Sequence, residues 1–155
     1  SNGLIDTVAT DHCSFTVEQK MRSDNCLDIL PGIPGSEPLL SLVHEKGVNN
    51  DYIDINKMVD LLSTKPAKIF GLYPQKGSIK EGTDADLVVF DPEQEINISD
   101  SQQHSEAKYT PYSGIKVKGY PVTTIFRGDV IVNDDKFYGE KGNGSFLKAK
   151  KSSLY

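Results

Sequence analysis

The sequence predicts an α/β first half followed by an all-β second half. Three observations carry that reading. Leu4-Ile5-Asp6-Thr7-Val8-Ala9-Thr10 is a largely apolar run that ends abruptly in Asp11, His12 and Cys13, with no turn residue between. Helical periodicity follows over 36–47 and again from Asp54. From Lys76 onward, just after Tyr73-Pro74, the apolar period changes to two residues.

The first run has apolar residues on both faces, the pattern of a strand buried on both faces, and such strands deliver functional groups at their carboxyl ends. Residues 11–36 mix Asp, Ser, Asn, Gly and Pro with short apolar pieces, the composition of a long loop rather than of an element. Ser36 is a candidate N-cap, with Glu37 and Pro38 in the first turn, Leu39, Leu40, Leu42 and Val43 following, and Gly47 as the stop. A second helix starts near Asp54. Ile55, Met58, Val59 and Leu62 mark its apolar face, and Pro66 is expected to end it, because proline disfavours a helical Lys65. Pro66 can itself open a further turn, with Gly71 as its cap.

Leu87–Phe90, Glu95–Ile98 and Ile115–Lys118 read as strands. Val122–Phe126 and Val130–Val132 flank Arg127-Gly128-Asp129 and predict a hairpin. The tail from Tyr138 is rich in Lys, Gly and Ser and is expected to be extended, with little reason to fold unless it packs on a partner.

At 155 residues the chain is long enough for a core of ordinary size. A net charge of -5 gives no basic stripe, which argues against nucleic acid and fits a small soluble substrate. No apolar run approaches the roughly 20 residues of a membrane helix, and no signal peptide is recognisable, so a cytoplasmic location is expected. Cys13 and Cys26 have neither metal-knuckle nor disulfide-framework spacing. Ser1-Asn2 reads as an expression scar.

Asp11 leads the functional candidates. A carboxylate offers hard oxygen to a divalent cation and can relay a proton, though an N-cap or loop aspartate fits the same position. His12 should point to the opposite side if strand geometry continues, so joint ligation is awkward. Pro31-Gly32-Ile33-Pro34-Gly35 reads, on residues alone, as a turn leading into the Ser36 helix. Cys13 is assigned no chemistry. Asp84 and Asp86 most simply stabilise turns before the Leu87 strand, and His44 and His104 are expected to be solvated at the surface.

The Asp11 segment, Pro66–Gly77 and Gly82-Thr83-Asp84-Ala85-Asp86-Leu87-Val88-Val89-Phe90-Asp91-Pro92 together resemble the dihydropyrimidinase and hydantoinase branch of the amidohydrolase superfamily. The resemblance covers nearly the whole chain and corresponds to the last third of a family member. It implies the C-terminal end of a (β/α)8 metal-dependent hydrolase barrel over residues 1–74, part of a small β-sandwich over 75–140 and an extended tail over 141–155. It implies hydrolysis of the C–N bond of a cyclic amide with two zinc-like ions in the complete protein, and a homo-oligomer, tetrameric by resemblance.

By the same resemblance Asp11 is catalytic and the last metal ligand, and Pro31 and Gly32 belong to a substrate-contacting loop; His12, pointing away from Asp11, is expected to hydrogen-bond a metal ligand or the backbone, or to be merely structural. Relatives often have Asn-Gly-x-Pro-Gly there. Pro31 has no N–H to donate, which points to a ring other than dihydrouracil or simple hydantoin. The family's His-x-His pair and carboxylated lysine have no counterpart among these residues. The chain alone is therefore expected to bind no metal and to be inactive, and to associate with the missing N-terminal portion or with itself. The alternatives are a non-catalytic relative acting in oligomerisation, and an allantoinase-like or dihydroorotase-like hydrolase.

Overall fold

A computed structural model describes residues 3–152; Ser1-Asn2 and the last three residues of the expected tail lie outside the described residues. Helix α1 (Val17–Lys20) and a 3-10 turn (Cys26–Asp28) come first, then helix α2 over 39–48 and helix α3 over 55–69. Strands β1 (Leu87–Asn97), β2 (Lys116–Phe126), β3 (Asp129–Asn133) and β4 (Lys136–Phe137) follow, with a 3-10 turn (Asp100–Gln102) between the first two. The strands form one antiparallel sheet in the order β1-β2-β3-β4.

The two main helices have local causes that differ in part from expectation. Ser36 is not the cap of α2: Pro38 occupies that position, and the Leu42 N–H returns to the Pro38 carbonyl. Gly47 lies inside the helix, in a wide π-type turn (His44–Val48) closed by the Asn49 N–H on the His44 carbonyl. Asp54 does cap α3, its carboxylate accepting the Lys57 N–H at 2.7 Å. Pro66 does not end that helix, and Lys65 is helical at φ -65° and ψ -45°. A π turn over Asp60–Thr64 shifts the bonding from the fourth to the fifth preceding carbonyl, which leaves room for the pyrrolidine ring. The helix ends as expected at Gly71, where the N–H groups of Gly71 and Leu72 bond the carbonyls of Lys68 and Ala67 in a Schellman pattern.

The four short strands expected between Leu87 and Phe126, the hairpin's first strand included, merge into two long ones. The register of β1 against β2 slips between Asp91 and Glu95, so Pro92 sits where no ladder bond is needed. The hairpin joins Phe126 to Asp129 through Arg127 (φ 54°) and Gly128 (φ 93°), the two positive angles of a type I′ turn.

The expectation of a first strand buried on both faces is not met. Among the described residues the run 4–10 pairs with no strand, and Leu4 and Ile5 are 88% and 64% exposed. A strand needs neighbours to satisfy its backbone, and these residues supply none. The 11–36 stretch is less irregular than expected, since Thr16 and Gln19 form a complete capping box on α1. The tail also has an anchor within the chain: Lys150 N–H donates to the Gly71 carbonyl at 2.9 Å.

The helices meet the sheet at one backbone unit. Strand β3 pairs only with Thr123–Phe126, which leaves the first half of β2 uncovered on that side. The end of α2 covers it: Glu45 accepts the Lys118 N–H at 3.1 Å, while His44 Nδ1 and Asn49 Nδ2 donate to the Lys118 carbonyl at 2.7 and 2.9 Å. His44 is therefore buried, at 3% exposure, contrary to the surface position expected of it. Its ring packs edge-on against Phe90 at 4.9 Å. Gly119 lets this happen: it sits at φ 110°, and a Cβ there would lie 2.3 Å from His44 Nδ1 and 2.7 Å from Phe90 Cζ.

Candidate functional site

The site is built where the first extended run stops. Asp11 adopts a left-handed backbone (φ 50°), uncommon for a residue other than glycine and best tolerated by Asp and Asn. It breaks the run and leaves the residue exposed. No described residue donates a hydrogen bond to its carboxylate. Asp11 is thus not the capped loop aspartate that its position alone also allowed.

The Pro31–Gly35 loop lies directly against Asp11, twenty residues away in sequence. Cys13 N–H donates to the Ile33 carbonyl at 3.1 Å, Ile33 N–H reaches the Asp11 carbonyl at 3.4 Å, and His12 and Ile33 form a parallel bridge. Gly32, at φ 84°, makes the approach possible. A Cβ there would lie 2.6 Å from Cys13 Sγ and 2.9 Å from the Asp11 carbonyl oxygen, so any side chain would push the segments apart. The Gly32 N–H donates to no described group and is the loop's open donor, since Pro31 has none.

His12 turns to the loop. Its Nδ1 accepts the N–H groups of Gly35 and Ser36 at 3.2 and 3.3 Å. Two donors on Nδ1 require the other nitrogen to carry the proton in the neutral ring. The arrangement makes His12 a strut between the Asp11 segment and the loop.

Sequence reasoning missed Lys20, whose ammonium bonds the carbonyls of Leu30 and Gly32, both at 2.5 Å. Thr110 is a second omission, its buried hydroxyl donating to the Pro34 carbonyl at 3.3 Å. Neither contact has a local sequence signal. Both join residues that only the fold brings together. Glu37 accepts the N–H groups of His104 and Ser105, each at 2.9 Å, and faces His104 Nδ1 at 2.9 Å. Burial pulls the Glu37 carboxyl upward, but the hydrogen bonds from His104 and Ser105 outweigh it and hold the group below its ordinary range. His104 is exposed as expected, yet paired with Glu37.

Asp84 and Asp86 lie elsewhere, before β1. Lys76 Nζ sits between them, 2.8 Å from Asp84 and in contact with Asp86. Asp86 also accepts the Arg127 N–H of the hairpin turn at 2.7 Å. Cys13 and Cys26 are free. Among the described residues no group of three or more His, Cys, Asp or Glu converges on a metal position. Asp11 fits as one hard-oxygen ligand of a divalent ion, and the described residues do not complete such a site. No described helix is long and apolar enough to cross a membrane.

The chain as a whole is similar to known proteins. The amidohydrolase family model matches residues 1–131. The D-hydantoinase of Ralstonia pickettii is 44% identical over 97% of the chain, and the D-phenylhydantoinase of Escherichia coli O1:K1 is 40% identical over the same share. The solved D-hydantoinase (dihydropyrimidinase) from Thermus sp. superposes with a TM-score of 0.91, at 44% identity and 97% coverage. The chain spans 33% of each of these relatives.

Proposed function

This chain belongs to the amidohydrolase family, and on that premise we propose that it is the C-terminal third of a metal-dependent hydrolase of cyclic amides, similar to hydantoinase and dihydropyrimidinase. In this reading residues 1–74 complete a (β/α)8 barrel, 75–140 form part of a β-sandwich and 141–155 are the tail. The observation that carries it is the Asp11 carboxylate, free of described donors at the end of an extended run, with the Gly32 loop held against it. Exposed Leu4 and Ile5 support the same reading, since upstream barrel strands would cover them.

The proposed roles rest on the family resemblance together with the geometry described above. Asp11 would be one metal ligand, and a divalent metal in that site, two in the complete protein, would polarise the ring carbonyl and acidify water. Asp11 takes the proton as the water oxygen bonds to the ring carbonyl carbon, and returns it to the amide nitrogen as the C–N bond breaks. The Gly32 N–H is the donor this loop would offer a ring carbonyl; Pro31 would add a carbonyl acceptor but no N–H, which favours a ring other than dihydrouracil or simple hydantoin. His12 fixes the loop on which that contact depends.

The test is ring opening by the complete protein with a panel of 5-phenylhydantoin, dihydrouracil, allantoin and dihydroorotate. Turnover of at least one of these rings, lost on chelation and restored by zinc, is expected; no turnover of any ring amide would reject the reading. The 155-residue chain alone should retain no stoichiometric zinc after dialysis and should associate with the upstream portion or with itself, as light scattering would register.

A further inference from the structure

We propose that residues 98–115, which connect β1 to β2, are a positioning element for the loop at 31–36 and, through it, for the substrate. This rests on the reading above that the loop meets the ring. A Gly/Pro loop has few side chains with which to fix itself, so its position must be imposed by neighbours. On one side His12 holds the Gly35 and Ser36 N–H groups. The opposite side is held from the β segment. Pro34 is fully buried, and its carbonyl accepts the hydroxyl of Thr110, itself 4% exposed.

Thr110 is fixed in turn, since Asp100 accepts its N–H at 2.9 Å. Tyr112 closes on Gly35, where a Cβ would come within 3.3 Å of the Tyr112 ring. One residue past the loop, the Glu37 carboxylate grips the His104 and Ser105 N–H groups. The loop is thus clamped between the Asp11 segment and residues 104–112. A displacement of about 1 Å in a substrate-orienting loop is enough to cost binding or rate. The β segment therefore has a part in substrate fit beyond assembly, and Thr110 is its central positioning residue.

The complete protein tests this through Thr110→Val, which removes the hydroxyl while keeping the branched shape, and Thr110→Ser, which keeps the hydroxyl. With whichever ring of the panel the unaltered protein opens fastest, Thr110→Val should raise KM about three- to ten-fold, the scale of one lost hydrogen bond, with kcat unchanged within about twofold. Thr110→Ser should restore KM. Hydrogen exchange at the Gly35 and Ser36 amides should accelerate in the valine variant and return to the original rate in the serine variant. If the valine variant does not fold, Glu37→Gln is expected to give the same KM-specific change, smaller in size. An unchanged KM in a folded variant with unchanged exchange would overturn the clamp, and accelerated exchange with an unchanged KM would overturn its bearing on substrate. Should the unaltered protein open no ring amide, the reaction assignment fails, while the exchange rates still decide the clamp.

Discussion

Two acidic sites beside glycine-bearing turns make opposite use of their carboxylates. Asp84 and Asp86 each hold two fixed donors: Lys76 lies between them, Gln75 Nε2 donates to Asp84, and the Arg127 N–H donates to Asp86. Asp11 carries no described donor, although His12 beside it holds two N–H groups. The difference separates acids that hold the fold from an acid with no described donor, for which a chemical role is proposed above. A carboxylate engaged by an ammonium and a second fixed donor is less available to a ligand or a proton. One presented by a left-handed residue at the end of an extended run keeps that capacity, at a backbone cost which the surrounding bridge to Ile33 sustains.

The contrast can be sharpened by mutation away from Asp11. The largest stability effect should come from Gly119→Ala, because both the positive φ and the His44 and Phe90 rings oppose a Cβ. A loss of about 3 kcal/mol is expected from strain and overpacking together, measured as a shift in denaturant midpoint. Asp86→Asn should cost about 1 kcal/mol, the scale of a lost side-chain cap, and leave turnover of the complete protein unchanged. A large activity loss with no stability loss would erase the distinction between the two sites.

The smallest effect is in the pH dependence. The hydrogen bond from Lys76 leads the causes that hold the Asp84 carboxyl below its ordinary value of 3.8. A depressed folded-state value means that its contribution is complete above 3.8 and fades as pH falls through that value towards the lower folded-state one. Asp84→Asn should therefore flatten the acid limb of stability while leaving the neutral region nearly unchanged, as urea midpoints across pH would register. An unaltered acid limb would mean that Lys76 does not favour the charged form.

What the sequence made legible was local. The Asp54 cap, the Gly71 helix end and the Arg127-Gly128 hairpin each depend on residues within a few positions of one another, and each is present. Pro66 misled because a π turn upstream changes which carbonyl the ring would meet. His44 misled because its polar sequence neighbours say nothing of Lys118, seventy-four residues away, whose carbonyl it bonds. The Asp11 run ends as its pattern implied, but no described strand covers it. At the site, Asp11, His12 and Gly32 were legible as candidates, and the structure brings them together. Lys20 and Thr110 were not, because a long-range bond to a carbonyl leaves no sequence pattern.

The most direct measurement compares Asp11→Asn with the unaltered complete protein, reading thermal stability and ring-amide turnover on the same sample. Asparagine keeps the shape but removes the anionic ligand and the proton acceptor. The account predicts an unchanged unfolding midpoint with turnover lower by about two orders of magnitude or more, the size of a general acid–base contribution. Near-normal turnover, or a loss of activity fully explained by unfolding, would contradict it.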